Sequence, residues 1–290
     1  MKKSRKLAIL GICSALFLGL AACQQDATTS NGTSQRQSSS TKVPWKASYT
    51  NLNNQVSTEE VKSLLSAHLD PNSVDAFFNL VNDYNTIVGS TGLSGDFTSF
   101  THTEYDVEKI SHLWNQKKGD FVGTNCRINS YCLLKNSVTI PKLDKNDQLL
   151  FLDNDAIDKG KVFDSQDKEE FDILFSRVPT EATTDVKVHA EKMETFFSQF
   201  QFNDKARMLS VVLHDNLDGE YLFVGHVGVL VPADDGFLFV EKLTFEEPYQ
   251  AIKFASKEDC YRYLGTKYAD YTGEGLAQPF IMDNDKWVNI

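Results

Sequence analysis

Gly225-His226-Val227-Gly228-Val229-Leu230-Val231-Pro232-Ala233-Asp234-Asp235-Gly236-Phe237-Leu238-Phe239-Val240-Glu241 sets two apolar, β-branched and aromatic runs on either side of a turn. Runs of this kind joined by Asp-Asp-Gly read as an antiparallel hairpin. If the turn centres on Asp234 and Asp235, Gly228 falls opposite Glu241 and His226 opposite Leu243. His226 and Glu241 then share a face as diagonal neighbours, close enough for a carboxylate to orient an imidazole. A slip of one residue reverses that relation, because successive strand side chains point to opposite faces.

Working outward, residues 206–214, 221–231 and 249–254 read as further strands, and Ser256-Lys257-Glu258-Asp259 caps a helix carrying Tyr261 and Leu264. The earlier chain is helical. Ser57-Thr58-Glu59-Glu60 reads as a capping box before Val61, Leu64, Leu65 and Leu69, and Asp70-Pro71 starts a second helix with Val74, Phe77, Phe78, Val81 and Tyr84. A third helix is expected over 107–116. Phe196, Phe197, Phe200 and Phe202 are core. Helices that precede strands, without βα alternation, indicate an α+β fold: an N-terminal helical layer and a helix bearing Cys126, packed on an antiparallel sheet. Residues 49–290 form one domain, helical over 49–135, with an insertion at 136–205 and a sheet-rich part at 206–290. Two lobes of repeated βα units, the plan of a solute receptor, are not present in the pattern.

Gly123-Thr124-Asn125-Cys126-Arg127-Ile128-Asn129 leads from a loop into that helix. Thr124 or Asn125 can cap it, which puts Cys126 in the first turn, where unpaired N–H groups and the helix dipole lower a thiol pKa. Cys132 lies inside the helix and reads as a small hydrophobe. Of the six histidines, His68 and His112 sit on helix faces and His189 falls in a charged surface stretch, whereas His226 opens an apolar strand. Arg127 beside the thiol is either a carboxylate ligand or a solvated helix arginine. The acidic runs 144–158 and 164–172 lack the calcium-loop spacing and read as solvated surface. No metal site or cofactor is expected.

A cysteine at a helix start, a histidine opening an apolar strand and a polar residue on the next strand resemble the order in papain-like cysteine peptidases and amidases, including NlpC-type cell-wall hydrolases. Gly225-His226-Val227-Gly228-Val229-Leu230 is similar to their histidine strand. That resemblance implies a papain-like arrangement with Cys126 as nucleophile, His226 as base and then acid, and Glu241 as the residue that orients the ring. The Cys126 N–H, with the Asn125 side chain as a weaker candidate, would hold the oxyanion. The spacing of about a hundred residues between Cys126 and His226 exceeds that of compact NlpC-type domains, and their third position is often His. Gly123–Asn129, together with Pro-Phe-Ile-Met-Asp-Asn-Asp at 279–285, is also similar to a family of streptococcal and other Gram-positive lipoproteins with a domain of unknown function.

The first residues agree with export. Lys2, Lys3, Arg5 and Lys6 precede an apolar run from Leu7 to Leu20, too short for a comfortable bilayer span, and Leu20-Ala21-Ala22-Cys23 resembles a bacterial lipobox. Cleavage of residues 1–22 leaves 268 residues, takes the net charge from −11 to −15 and leaves Cys23 to carry the lipid. Residues 23–48 are polar and form a tether with a reach of roughly 25–30 Å. The expected place is therefore the outer face of the cytoplasmic membrane, anchored through the lipid on Cys23. An acidic chain without a basic cluster after the leader argues against nucleic acid. The 20 Phe, 10 Tyr and 3 Trp supply a real core, and five cysteines are too few for a disulfide scaffold. The function expected is thiol-dependent hydrolysis of an amide, such as a peptidoglycan peptide. The other reading is a non-catalytic binding or adhesion lipoprotein on the same fold.

Overall fold

The structure, a computed structural model, describes residues 46–101 and 103–289. The leader, Cys23 and nearly all of the tether lie outside the described residues. Among the described residues, eleven strands and eight α-helices form an α+β domain. In chain order they are β1 Ala47–Thr50, α1 Gln55–Ser66, α2 Pro71–Val88, β2 Thr98–Ser99, α3 Val107–Lys118, α4 Cys126–Leu134, β3 Val138–Thr139, α5 Phe151–Gly160, α6 Ser165–Leu174, β4 Val178–Pro179 and α7 Val186–Phe197. The second half continues with β5 Gln201–Phe202, β6 Arg207–Asp215, β7 Tyr221–Ala233, β8 Gly236–Lys242, β9 Tyr249–Phe254, α8 Lys257–Lys267, β10 Phe280–Asp283 and β11 Lys286–Val288.

Nine strands make one antiparallel sheet in the order β11-β10-β6-β7-β8-β9-β1-β2, with β4 added to β7. The hairpin has the register read from its turn: β7 and β8 pair from Ala233 with Gly236 to Val229 with Val240. Pro232, which has no N–H to give, lies beyond the end of β6, whose last pair is Arg207 with Leu230. The first element differs from expectation. Residues 47–50, of which 47 and 48 fall in the expected polar tether, form a strand on β9, so strand and helix are interleaved from the start. Four residues are too short a run for the alternation signal to stand out.

The sheet buries both faces. Met208, Val212, Val224, Val227, Val229 and Val240 join the larger core with α1, α2 and α4, whereas Leu209, Val211, Leu230, Phe239 and Ile252 pack on Cys260, Tyr261 and Leu264 of α8. Phe197 and Phe200 are buried, with Phe196 and Phe202 packed against the core. A bulge in β7 decides which residues face which layer. Val211 pairs with His226 but Val212 with Val224, so Gly225 is passed over. His226 therefore lies on the α8 face although Val224, two residues earlier, lies on the other. A Cβ on Gly225 would sit 2.1 Å from Leu213 Cδ1, so any side chain there would force Leu213 to move.

The helix starts follow local chemistry, with one correction. Asp70 accepts from the N–H groups of Asn72 and Ser73, and Ser256 from that of Asp259. The cap of α1 is Asn54, whose side chain accepts from Ser57 N–H. Ser57 is instead buried inside the helix, with its hydroxyl on Gly95 O at 2.6 Å. Both residue types cap well, and the packing of the 94–96 segment decides between them.

Candidate active site

The segment before α4 is shaped for a sharp entry. Gly123 has a φ of +93°, a conformation costly for any side chain, and a Cβ there would press on the Trp114 ring and Phe245 O. Asn125 then caps α4 by accepting from Ile128 N–H, which places Cys126 as the first helical residue. All nine residues of α4 are buried. On β7, the stretch between the part paired with β4 and the part paired with β8 offers carbonyls to this helix. Arg127 donates to Val224 O at 2.9 Å and Ser130 to Val227 O at 3.2 Å.

Cys126, His226 and Glu241 meet. The thiol interacts with the His226 ring by hydrogen bond and charge, and His226 Nε2 bonds Glu241 Oε2 at 2.5 Å. With Nε2 taken by the carboxylate, Nδ1 is the nitrogen left for sulfur. All three groups are deep: the residues are 5%, 1% and 2% exposed. Burial alone would push the Cys126 thiol up, but the charge and hydrogen bond of His226, helped by Arg127, bring it below its ordinary value. For His226, burial opposes protonation, yet Cys126 and then Glu241 raise the ring to about 9. Burial works against the Glu241 anion too, and Lys267, His226 and Tyr263 overcome it to hold the carboxyl at about 2. All three shifts favour the charged form of each group, thiolate, imidazolium and carboxylate.

Asn125 and Arg127 have other work than the sequence suggested. The Asn125 amide donates to Asp153 Oδ1 at 2.7 Å while its oxygen caps the helix, so both ends of the side chain have structural partners. Arg127 does bind a carboxylate, but an internal one: Nε and a terminal nitrogen grip Asp153 at 2.9 and 2.7 Å. Asp153 is fully buried and Asp172 nearly so, two exceptions within acidic runs whose other carboxylates are exposed or half-buried, as expected of a solvated surface. His189, also expected at the surface, is buried, bonded to Thr180 Oγ1 and Thr183 O at 2.7 Å each and 4.4 Å from the His214 ring.

Helix α8 supplies groups that sequence reasoning missed. Glu241 Oε1 accepts from the Tyr263 hydroxyl and, at 3.4 Å, from Lys267 Nζ, which also donates to the Tyr263 oxygen at 2.8 Å. Tyr268 stacks on the His226 ring at 5.0 Å. Tyr263 and Lys267 are one helical turn apart and so visible as a pair, but nothing local ties them to Glu241, more than twenty positions earlier. Lys242, next to Glu241, is buried, its ammonium wrapped by Thr244 O, Phe245 O and Glu247 O and 4.1 Å from the Tyr84 ring; burial lowers it to about 7. Cys132 and Cys260 are free and buried, and burial raises both thiols, Cys132 to about 12. Among the described residues no group of His, Cys, Asp and Glu could hold a metal, and no helix is long and apolar enough to cross a membrane.

The family profile described as a domain of unknown function, DUF4300, matches residues 48–288. The chain belongs to this family. Its span covers nearly the whole domain, from within β1 to the end of β11, and contains Cys126, His226 and Glu241. No curated protein and no solved structure matches the chain.

Proposed function

We propose that this protein is a thiol hydrolase of amide bonds with Cys126 as nucleophile, His226 as base and acid, and Glu241 as the orienting carboxylate. The observation that carries the reading is the unbroken line from a thiol at a helix start, through an imidazole, to a buried anion. The papain-like resemblance of the sequence supports it, since the same three roles occur there in the same chain order. In the first half-reaction the Cys126 thiolate attacks the amide carbon, and the C–N bond breaks as His226 gives its proton to the leaving amine. Water, deprotonated by His226, then cleaves the thioester and restores the thiol. The Cys126 N–H, at a helix start where intrahelical acceptors are lacking, is the oxyanion donor of this scheme.

The place of action in this reading is outside the cell, with the lipid on Cys23 as the anchor and peptide amides of the cell wall as the substrate class. An anionic chain would be kept off an anionic surface except through that lipid. The test is labelling with a thiol-directed probe below neutral pH, followed by assay on wall peptides. Label on wild type and on Cys132→Ala and Cys260→Ala, but not on Cys126→Ala, is expected. Equal labelling of all three variants would remove the special thiolate and the proposal with it. A Cys23→Ala chain should appear in the medium without the mass of the lipid.

The depth of the trio favours one other reading, a binding lipoprotein in which the site is unused. In that case Cys126 would label as expected while no amide in a broad peptide set is cleaved.

A further inference from the structure

Glu241 is an unusual group to find anionic. It is 2% exposed, and an isolated buried carboxyl takes up a proton in preference to staying charged. Only as an anion does it hold the His226 imidazolium. Its two oxygens are divided: Oε2 accepts from His226 and Oε1 faces α8, where Tyr263 and Lys267 meet it. A phenol has one proton to give, and an ammonium can only donate. Because Lys267 Nζ donates to the Tyr263 oxygen, the Tyr263 hydroxyl proton has Glu241 as its acceptor. The order of donors is thus fixed, running from Lys267 through Tyr263 to Glu241, with His226 on the far side. The Tyr263 ring is set by its neighbours, edge-on to Phe100 at 5.3 Å and beside Phe254 at 5.7 Å. Other titratable groups near Glu241 are Tyr105, Cys260 and Tyr268, all neutral at ordinary pH; Lys267 brings the positive charge.

We propose that Tyr263 and Lys267 are positioning residues of the thiol centre, acting through Glu241: they keep its carboxylate charged and aimed, and so set the pH at which Cys126 becomes a thiolate. This rests on the hydrolase reading above and assigns α8 a part in it. Neither residue touches a substrate in this scheme, and the chemistry of bond cleavage is unchanged.

The experiment is a pH titration of the Cys126 thiolate in the full chain, followed by ultraviolet thiolate absorbance against Cys126→Ser as blank, with thermal melting alongside. Wild type should titrate below an ordinary thiol. Lys267→Met and Tyr263→Phe, which keep the stem and the ring, should each raise the midpoint by about one unit, the effect of losing one close charge or charged hydrogen bond. Lys267→Arg should restore it. A wild-type midpoint that is low and unmoved in both variants, whatever happens to melting, overturns the role of α8 and leaves the hydrolase reading standing. An ordinary midpoint in wild type overturns the hydrolase reading itself.

Discussion

His226 and Glu241 depend on each other, and their coupling gives testable pH behaviour. The thiol loses its proton below its ordinary value and the ring keeps its proton up to about 9, so the ion pair exists between these limits. Turnover should therefore rise on an acid limb below the ordinary thiol pKa and fall on an alkaline limb at about 9, read as a bell in kcat/KM. Glu241→Gln keeps the shape but removes the anion, and kcat should drop by about two to four orders of magnitude with the fold intact by circular dichroism. Its carboxyl also bears on stability. A depressed folded-state value means that the contribution is present above the ordinary carboxylate pKa and is lost as pH falls toward about 2. His189 acts earlier on the pH scale. Buried and held below 6.5, it must take up a proton on unfolding in acid, so stability should decline as pH drops through that value, and His189→Gln should flatten the decline.

At the scale of elements, α4 and β7 hold the thiol and the imidazole on one frame. Asp153 of α5 is the pin, since it takes both the Asn125 cap and the Arg127 guanidinium. Asp153→Asn removes the buried carboxylate charge that Arg127 grips at two points, and the cost should be about 3–5 kcal/mol, measured as a lower denaturant midpoint at unchanged m-value. The β7 bulge makes a separate prediction. Gly225→Ala forces a methyl onto Leu213 and should destabilise by about 1–3 kcal/mol, while Leu213→Ala alone costs about 2–5 kcal/mol through its cavity. The double variant should lose less than the sum, because each change relieves the fault of the other.

For the whole molecule, the chain closes on itself through β1. Asn51, at its end, donates to Tyr249 O at 2.8 Å and to the Tyr105 hydroxyl at 2.9 Å, and accepts from Ser94 N–H at 2.9 Å. It thereby joins the sheet to the loop that follows α2. A chain beginning at Asn53 lacks this hub and bares the β9 edge, and should melt at lower temperature with a greater tendency to aggregate, seen by scattering on heating. The two burial layers of the sheet make the same point about size. One face carries the helix with the thiol and the other the helix that holds the carboxylate, so the centre requires both layers to be assembled.

What could be read in the residues was whatever depends on near neighbours. Hairpin register followed from Asp234-Asp235-Gly236, the α2 and α8 caps from Asp70-Pro71 and Ser256, and the place of Cys126 from Gly123 and Asn125, because turns, caps and periodicity are fixed by residues within a few positions of one another. The α+β class followed from their order. Distant partners were not legible. Asp153 and Asp172 lie in acidic runs that look solvated, His189 in a stretch that looks charged, and Tyr263 and Lys267 on a helix with no local link to Glu241. Their roles arise when segments far apart in the chain exclude water together, which makes an unpartnered polar group costly and selects the few contacts that satisfy it. The sequence by itself determined the central strands β6 to β9, the starts of α2, α4 and α8, and the candidate thiol, imidazole and carboxylate. The tertiary structure decided which charges are buried, and which lysine and tyrosine hold Glu241 in its anionic form.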